Sequence, residues 1–141
     1  MTKKGYKREH IFPNESYVQE AIDRYFLTAG YEIIDDKYTD LVCKHPSTKE
    51  TWYIEAKGLT SQVGLDFRTC IGQVVQRMKV QGANYAIAVP DIQKFRDQLL
   101  IVAPHVREIL NLYWVLVDEN QSVVIVSPEQ NLHNKLPKCD G

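Results

Sequence analysis

The chain has 141 residues, 44 % of them hydrophobic and 25 % charged, enough for one domain with a buried core and too few for two of ordinary size. No apolar run approaches membrane-spanning length and the Lys-rich start lacks the apolar segment of a secretory signal, so a cytoplasmic globular protein is expected. The net charge of −1 gives no global argument for nucleic-acid binding, but it is uneven: Lys3, Lys4, Lys7 and Arg8 against Glu9 put +3 on the first ten residues and leave −4 on the rest.

The three cysteines, Cys43, Cys70 and Cys139, are odd in number and lack paired ligand spacing, which argues against a disulfide framework or a zinc site. Residues 1–13 read as a basic arm whose Lys3, Lys4, Lys7 and Arg8 can add phosphate contacts beside the folded body. Asn14 is then an N-cap, and a helix is predicted from Glu15 to about Ala29. Val18, Ala21, Ile22, Tyr25, Phe26 and Ala29 recur there at helical spacing, and Gly30 closes the helix. At 100° per residue Glu15 falls within about 20° of Ile22, whereas Glu20 falls about 160° away. Glu15 is therefore the acid aimed inward, or else a first-turn partner of the helix dipole.

Tyr31 to Ile34 reads as the first strand, followed by an Asp35-Asp36-Lys37 turn. Two further β-type runs, 39–45 and 50–57, flank Pro46-Ser47-Thr48-Lys49, a four-residue hairpin loop. Pairing His45 with Glu50 sets the register and puts Asp40 opposite Glu55. Alternation then assigns Asp40, Val42, Lys44, Tyr53, Glu55 and Lys57 to one face, and Leu41, Cys43, Trp52, Ile54 and Ala56 to the buried one. Carboxylates roughly 5 Å apart destabilise a sheet unless something sits between them. A hard divalent cation such as Mg²⁺ suits that place, because it takes one or two carboxylates and leaves its other positions to water and phosphate. Lys57 would then orient a water or stabilise charge developing on a phosphodiester. Taken singly, the same residues are a surface ion pair, Asp40 with Lys57, and a solvated Glu55.

The polar loop 58–64 leaves this strand directly, so Ser61 and Gln62 are candidates to touch a nucleic-acid backbone. A second helix is predicted from about Asp66 to Val80, with Phe67, Cys70, Ile71, Val74, Val75 and Met78 as its stripe and Gln73 on the polar flank. Arg68 and Arg77 are phosphate-contact candidates or solvated helix charges. Gly72 costs a helix about 1 kcal/mol against alanine, which points to close packing or ligand approach. Asn84 to Val89, almost all apolar, is a central strand covered on both faces. After Pro90-Asp91 a helix buries Phe95, Leu99 and Val102, and Pro104 opens a further turn with Val106, Ile109 and Leu110. Tyr113 to Val117 and Ser122 to Val126 form a last strand pair, and residues 128–141 are expected to be a polar tail.

An acid on one strand and Glu-x-Lys on the next, here Asp40, Glu55 and Lys57, resembles the PD-(D/E)xK nuclease superfamily, the restriction-endonuclease-like fold. Thr39 stands where many members carry proline. Ile71-Gly72-Gln73-Val74-Val75 resembles the Gly-Gln context that several branches place on the following helix, although Gln76 and Arg77 fill the stretch where tyrosine often follows. The layout is similar to compact Holliday-junction resolvases and to excision-controlling-factor proteins of cyanobacterial mobile elements. The latter share the succession seen here in Glu55 to Lys57, Gly72-Gln73 and Ala88 to Pro90.

The resemblance spans roughly residues 14–127 and implies an α/β (α+β) fold. Its αβββαβ core would build a mixed central sheet flanked by helices, with an added C-terminal helix and strand pair. It also implies a Mg²⁺-dependent DNA endonuclease, with Mn²⁺ as a substitute. Asp40, Glu55 and the Ala56 carbonyl would hold the metal, Lys57 would position water, and Glu15 and Gln73 would support. A homo-oligomer is expected, because a small domain must pair to cut two strands. Phe12, Tyr31, Tyr113 and Trp114 are the interface candidates. The alternative is a catalytically silent nuclease-fold protein that binds DNA or serves a mobile element as an accessory.

Overall fold

The computed structural model describes residues 10–136, so Lys3, Lys4, Lys7, Arg8 and Cys139 lie outside the described residues. The elements in order are α1 (Glu15–Thr28), β1 (Glu32–Ile34), β2 (Leu41–Lys44), β3 (Thr51–Ala56), α2 (Val63–Gln76), β4 (Asn84–Pro90), α3 (Gln93–Ile101), α4 (Pro104–Leu110), β5 (Leu112–Val117), β6 (Val123–Val126) and α5 (Leu132–Lys135). The strands form one sheet in sequential order. Pairing is antiparallel from β1 to β3, parallel from β3 through β4 to β5, and antiparallel again at β6. This is the mixed sheet flanked by helices that the resemblance implies, with the final strand pair continuing it.

The hairpin adopts the expected register. Leu41 faces Ile54, Val42 faces Tyr53, Cys43 faces Trp52 and Lys44 faces Thr51. The His45 N–H donates to the Glu50 carbonyl and the Lys49 N–H to that of His45, each at 2.9 Å. Period-two alternation then sorts the two cores. Leu41, Cys43, Trp52, Ile54 and Ala56 lie under α1 with Val18, Ala21, Ile22 and Phe26. The other face carries α2 and α3, whose Phe67, Cys70, Phe95 and Leu99 pack on Ile87, Val89, Trp114 and Leu116. Each such fully buried Ile or Leu contributes about 1.5–3 kcal/mol. The β3–β4 and β4–β5 crossovers step the same way along the sheet, and with one hand they must share a face. That leaves the opposite face to α1, and it buries β4 along its whole length.

Several expectations are corrected. In α1 the core positions are Tyr17, Val18, Ala21, Ile22 and Phe26, while Tyr25 and Ala29 are exposed. Tyr17 enters because its hydroxyl donates to the carbonyls of Asp118 and Glu119. α2 starts at Val63, where the Thr60 hydroxyl accepts the Gln62 N–H and bonds the Asp66 carboxylate, and it ends at Gln76. Beyond it the Tyr85 hydroxyl pairs with both Val80 N–H and Val80 O, drawing the chain into a turn and leaving Val75 exposed. Gly72 has no close neighbour, since a Cβ there would meet nothing within 4 Å.

Phe12, Tyr31 and Tyr113 pack against the α1-side core and Trp114 lies inside the other, so these aromatics serve packing. On α4 Ile109 is exposed, and the one buried side chain is Arg107. Its guanidinium donates to the carbonyls of Val126, Ser127 and Gln130 and sits 4.9 Å from the Trp114 ring centre. That clamp and the buried Leu132 hold residues 127–136 against the body where composition alone reads as a tail. Among the described residues no helix is long and apolar enough to cross a membrane.

Candidate active site

β2 stops at Leu41, so Asp40 lies one position beyond the last ladder pair, opposite Glu55. With no backbone pair there, its carboxylate takes over, and Oδ2 accepts the Ala56 N–H at 2.8 Å. Three further bonds hold the loop that carries Asp40. Asp36 Oδ1 accepts the N–H groups of Tyr38 and Thr39 at 2.8 and 3.0 Å, and Gln19 on α1 donates to the Asp40 carbonyl at 3.0 Å.

Glu55 sits on β3 with 6 % of its surface exposed, on the face covered by α2. Its Oε2 accepts from Arg77 Nη1 at 2.7 Å, and the same nitrogen donates to the Tyr38 carbonyl at 2.5 Å. An adjacent guanidinium ought to hold the carboxyl low. Burial, and next the charge of Asp40, outweigh it and push Glu55 up to about 7. Asp40 is close enough to add to the rise.

Lys57 continues β3, with its N–H on the Ala88 carbonyl at 2.9 Å. Gly58 then meets the start of α1, where a Cβ would fall 2.1 Å from the Glu15 nitrogen. Only glycine allows that approach, and the Leu59 N–H completes it on the Pro13 carbonyl at 2.9 Å. This junction brings Glu15 to the group, where it stays exposed at the helix start rather than pointing into the core as its angle to Ile22 predicts. Its carboxyl is raised by burial first and then by Asp40, with Lys57 pulling it down and Asp66 adding to the rise. Around the start of α1 lies an open cleft of about 460 Å³ lined by Asn14, Glu15, Ser16, Gln19 and Leu59. Beneath the group, Cys70 is fully buried, and burial pushes its thiol up to about 12, so it supplies no thiolate.

Asp40, Glu55, Lys57 and Glu15 are thus brought together from a loop, a strand and a helix N-terminus. Gln73 is half-buried one turn before Arg77, and it is Arg77 that reaches Glu55. Arg77 is therefore an ion-pair partner inside the site, where the sequence reading had it facing phosphate or solvent. Arg68 lies about two and a half turns away from it. That places Arg68 in a groove between α2 and α3 with Phe67, Ile71, Gln98, Ile101 and Val102. Ser61 and Gln62 are exposed at the start of α2.

The sequence reading missed Gln19, Gly58 and the role of Arg77. A readable signal existed for two of them. Gln19 follows Glu15 by four residues, hence one face of α1, and Arg77 follows buried Cys70 by seven, within about 20° on α2.

A six-stranded mixed sheet between helices, with an acid pair on its hairpin, makes a compact α+β fold. No protein-family model matches the chain, and neither does any curated protein. Among solved structures it is similar to that of an XisH family protein from Nostoc punctiforme PCC 73102. The TM-score is 0.54 at 12 % identity, over 76 % of this chain and 95 % of that one. The likeness at that identity is one of fold.

Proposed function

We propose that the protein is a divalent-metal-dependent DNA endonuclease of PD-(D/E)xK type, with its site at Asp40, Glu55 and Lys57. The observation that carries this reading is the pair of facing acids, Asp40 and Glu55, kept together although burial and then the Asp40 charge push Glu55 up to about 7. Such a pair is costly to keep without a ligand that uses it.

The donor set fits Mg²⁺ or Mn²⁺. Among the described residues no group of three His, Cys, Asp or Glu side chains could hold a metal alone. Mg²⁺ needs only one or two carboxylates beside water and phosphate. Asp40 and Glu55 would hold it. The Ala56 carbonyl would join them, because in a strand it faces the same side as the Ala56 N–H that bonds Asp40. The ion would supply Lewis-acid stabilisation of the phosphodiester. Lys57 would orient the attacking water and offset the charge that builds on the phosphate, while Glu15, at the cleft wall, would shape the water-side entrance. Gln73, four residues before Arg77, would contact Lys57 or a phosphate from α2. Ser61, Gln62 and the N-terminal Lys3, Lys4, Lys7 and Arg8 would add phosphate contacts, and two copies of the chain would serve two strands.

Isothermal titration of Mg²⁺ and Mn²⁺ into wild type and Glu55→Ala tests this, beside a plasmid, junction and single-strand cleavage panel. Metal binding and cleavage that both disappear with Glu55 are expected. Binding in wild type with every substrate left intact favours the second reading, a nuclease-fold accessory or DNA-binding protein. That reading draws on the ion pair in which Arg77 occupies Glu55.

A further inference from the structure

Arg77 is a side chain at the site that a pattern of acids and lysine does not call for. A single Nη1 serves two acceptors on different elements, Glu55 Oε2 on β3 and the Tyr38 carbonyl in the loop leading to Asp40. It thereby ties the two acid-bearing segments to each other and sets a positive charge between the exposed Asp40 loop and the buried Glu55.

We propose that Arg77 is the built-in counter-ion of the Asp40–Glu55 pair, holding the metal-free site together and giving up Glu55 when a divalent cation binds. The inference rests on the metal-centre reading above. A dication beside both carboxylates supplies more charge than a guanidinium and repels it, so the two compete for the same oxygen. The exchange is open to Arg77, whose side chain is 35 % exposed and whose long stem lets the head swing to solvent. It needs no proton transfer, since arginine stays charged throughout. Asp40 also keeps its place when Arg77 leaves, because the Ala56 N–H and Gln19 still hold it.

The test uses full-length wild type, Arg77→Gln and Arg77→Lys, buffered well above the Glu55 midpoint so that protons do not compete. Mn²⁺ is titrated calorimetrically into each, and the arginine side-chain ¹⁵N signals of wild type are followed on adding Mg²⁺. Removing the competing charge should tighten Mn²⁺ binding about fivefold to tenfold in Arg77→Gln, and keeping it should hold Arg77→Lys within about twofold of wild type. The Arg77 guanidinium, assigned by its absence in Arg77→Lys, should show hindered rotation without metal and regain free rotation at saturating Mg²⁺. A merely structural arginine would give the opposite sign, weaker binding on removal. Weaker or unchanged binding in Arg77→Gln, or an Arg77 signal unmoved by Mg²⁺, overturns the displacement and leaves the metal centre standing. If none of the three proteins binds metal, the centre itself fails and the inference with it. The spectroscopic arm reads wild type and so survives poor folding of Arg77→Gln.

Discussion

Burial and the charge of Asp40 lift the Glu55 carboxyl from 4.5 to about 7, with Arg77 opposing, and the sign of its effect on stability follows. The folded state prefers the protonated form, so the stabilisation is complete below about pH 4.5 and lost as pH rises through about 7. Denaturant midpoints of metal-free wild type should therefore fall across that window, and Glu55→Gln should flatten most of the fall. A slope unchanged in Glu55→Gln would place the titration on another group. Asp40 supplies the second-largest push on Glu55. Asp40→Asn should therefore bring the Glu55 carboxyl down by about one unit, as read from a ¹³C carboxyl titration. A value still near 7 in that variant would leave burial as the whole cause.

At the scale of elements, two junctions carry the architecture around the site. Gly58 lets the end of β3 touch the first turn of α1, with no room for a methyl group. Gly58→Ala must push the helix start away, at a cost of about 1–3 kcal/mol in a urea melt, and should pull Glu15 from Lys57. Arg107 clamps the segment after β6 through three carbonyls. Arg107→Met keeps the apolar stem over Trp114 but strands those acceptors, for about 2–3 kcal/mol. Amide exchange should then quicken in residues 127–136 before the rest of the sheet. Uniform exchange would mean that Leu132 alone anchors the segment.

For the whole molecule, the reading turns on how many copies meet the nucleic acid. One chain of 16.3 kDa presents one acid pair, so cutting both strands of a duplex calls for two chains. Sedimentation should give twice the chain mass at working concentration. A monomer at all concentrations would confine the proposed activity to nicks or single strands. Of the aromatics, Trp114 is buried, whereas Phe12, Tyr31 and Tyr113 are only partly buried against the α1-side core. β1 is an open sheet edge with Ile33 and Ile34 exposed.

What the sequence by itself determined is the local geometry of the hairpin and the identity of its acids. Strand alternation has a period of two and the Pro46–Lys49 loop fixes the pairing, so the opposition of Asp40 and Glu55 is written in spacing alone. The central strand was equally legible, because residues 84–90 are apolar on both faces. The helix limits were less so, since Thr60 and Tyr85 bond across the turns that set them. Tertiary structure alone decided that Arg77, 22 residues from Glu55, would neutralise it, and that Gly58 would bring Glu15 to Lys57. Periodicity tells which residues share a face of one element. Which faces then meet depends on how the crossovers lay α2 and α1 on opposite sides of the sheet, and a long cation takes whatever carboxylate that packing puts within reach.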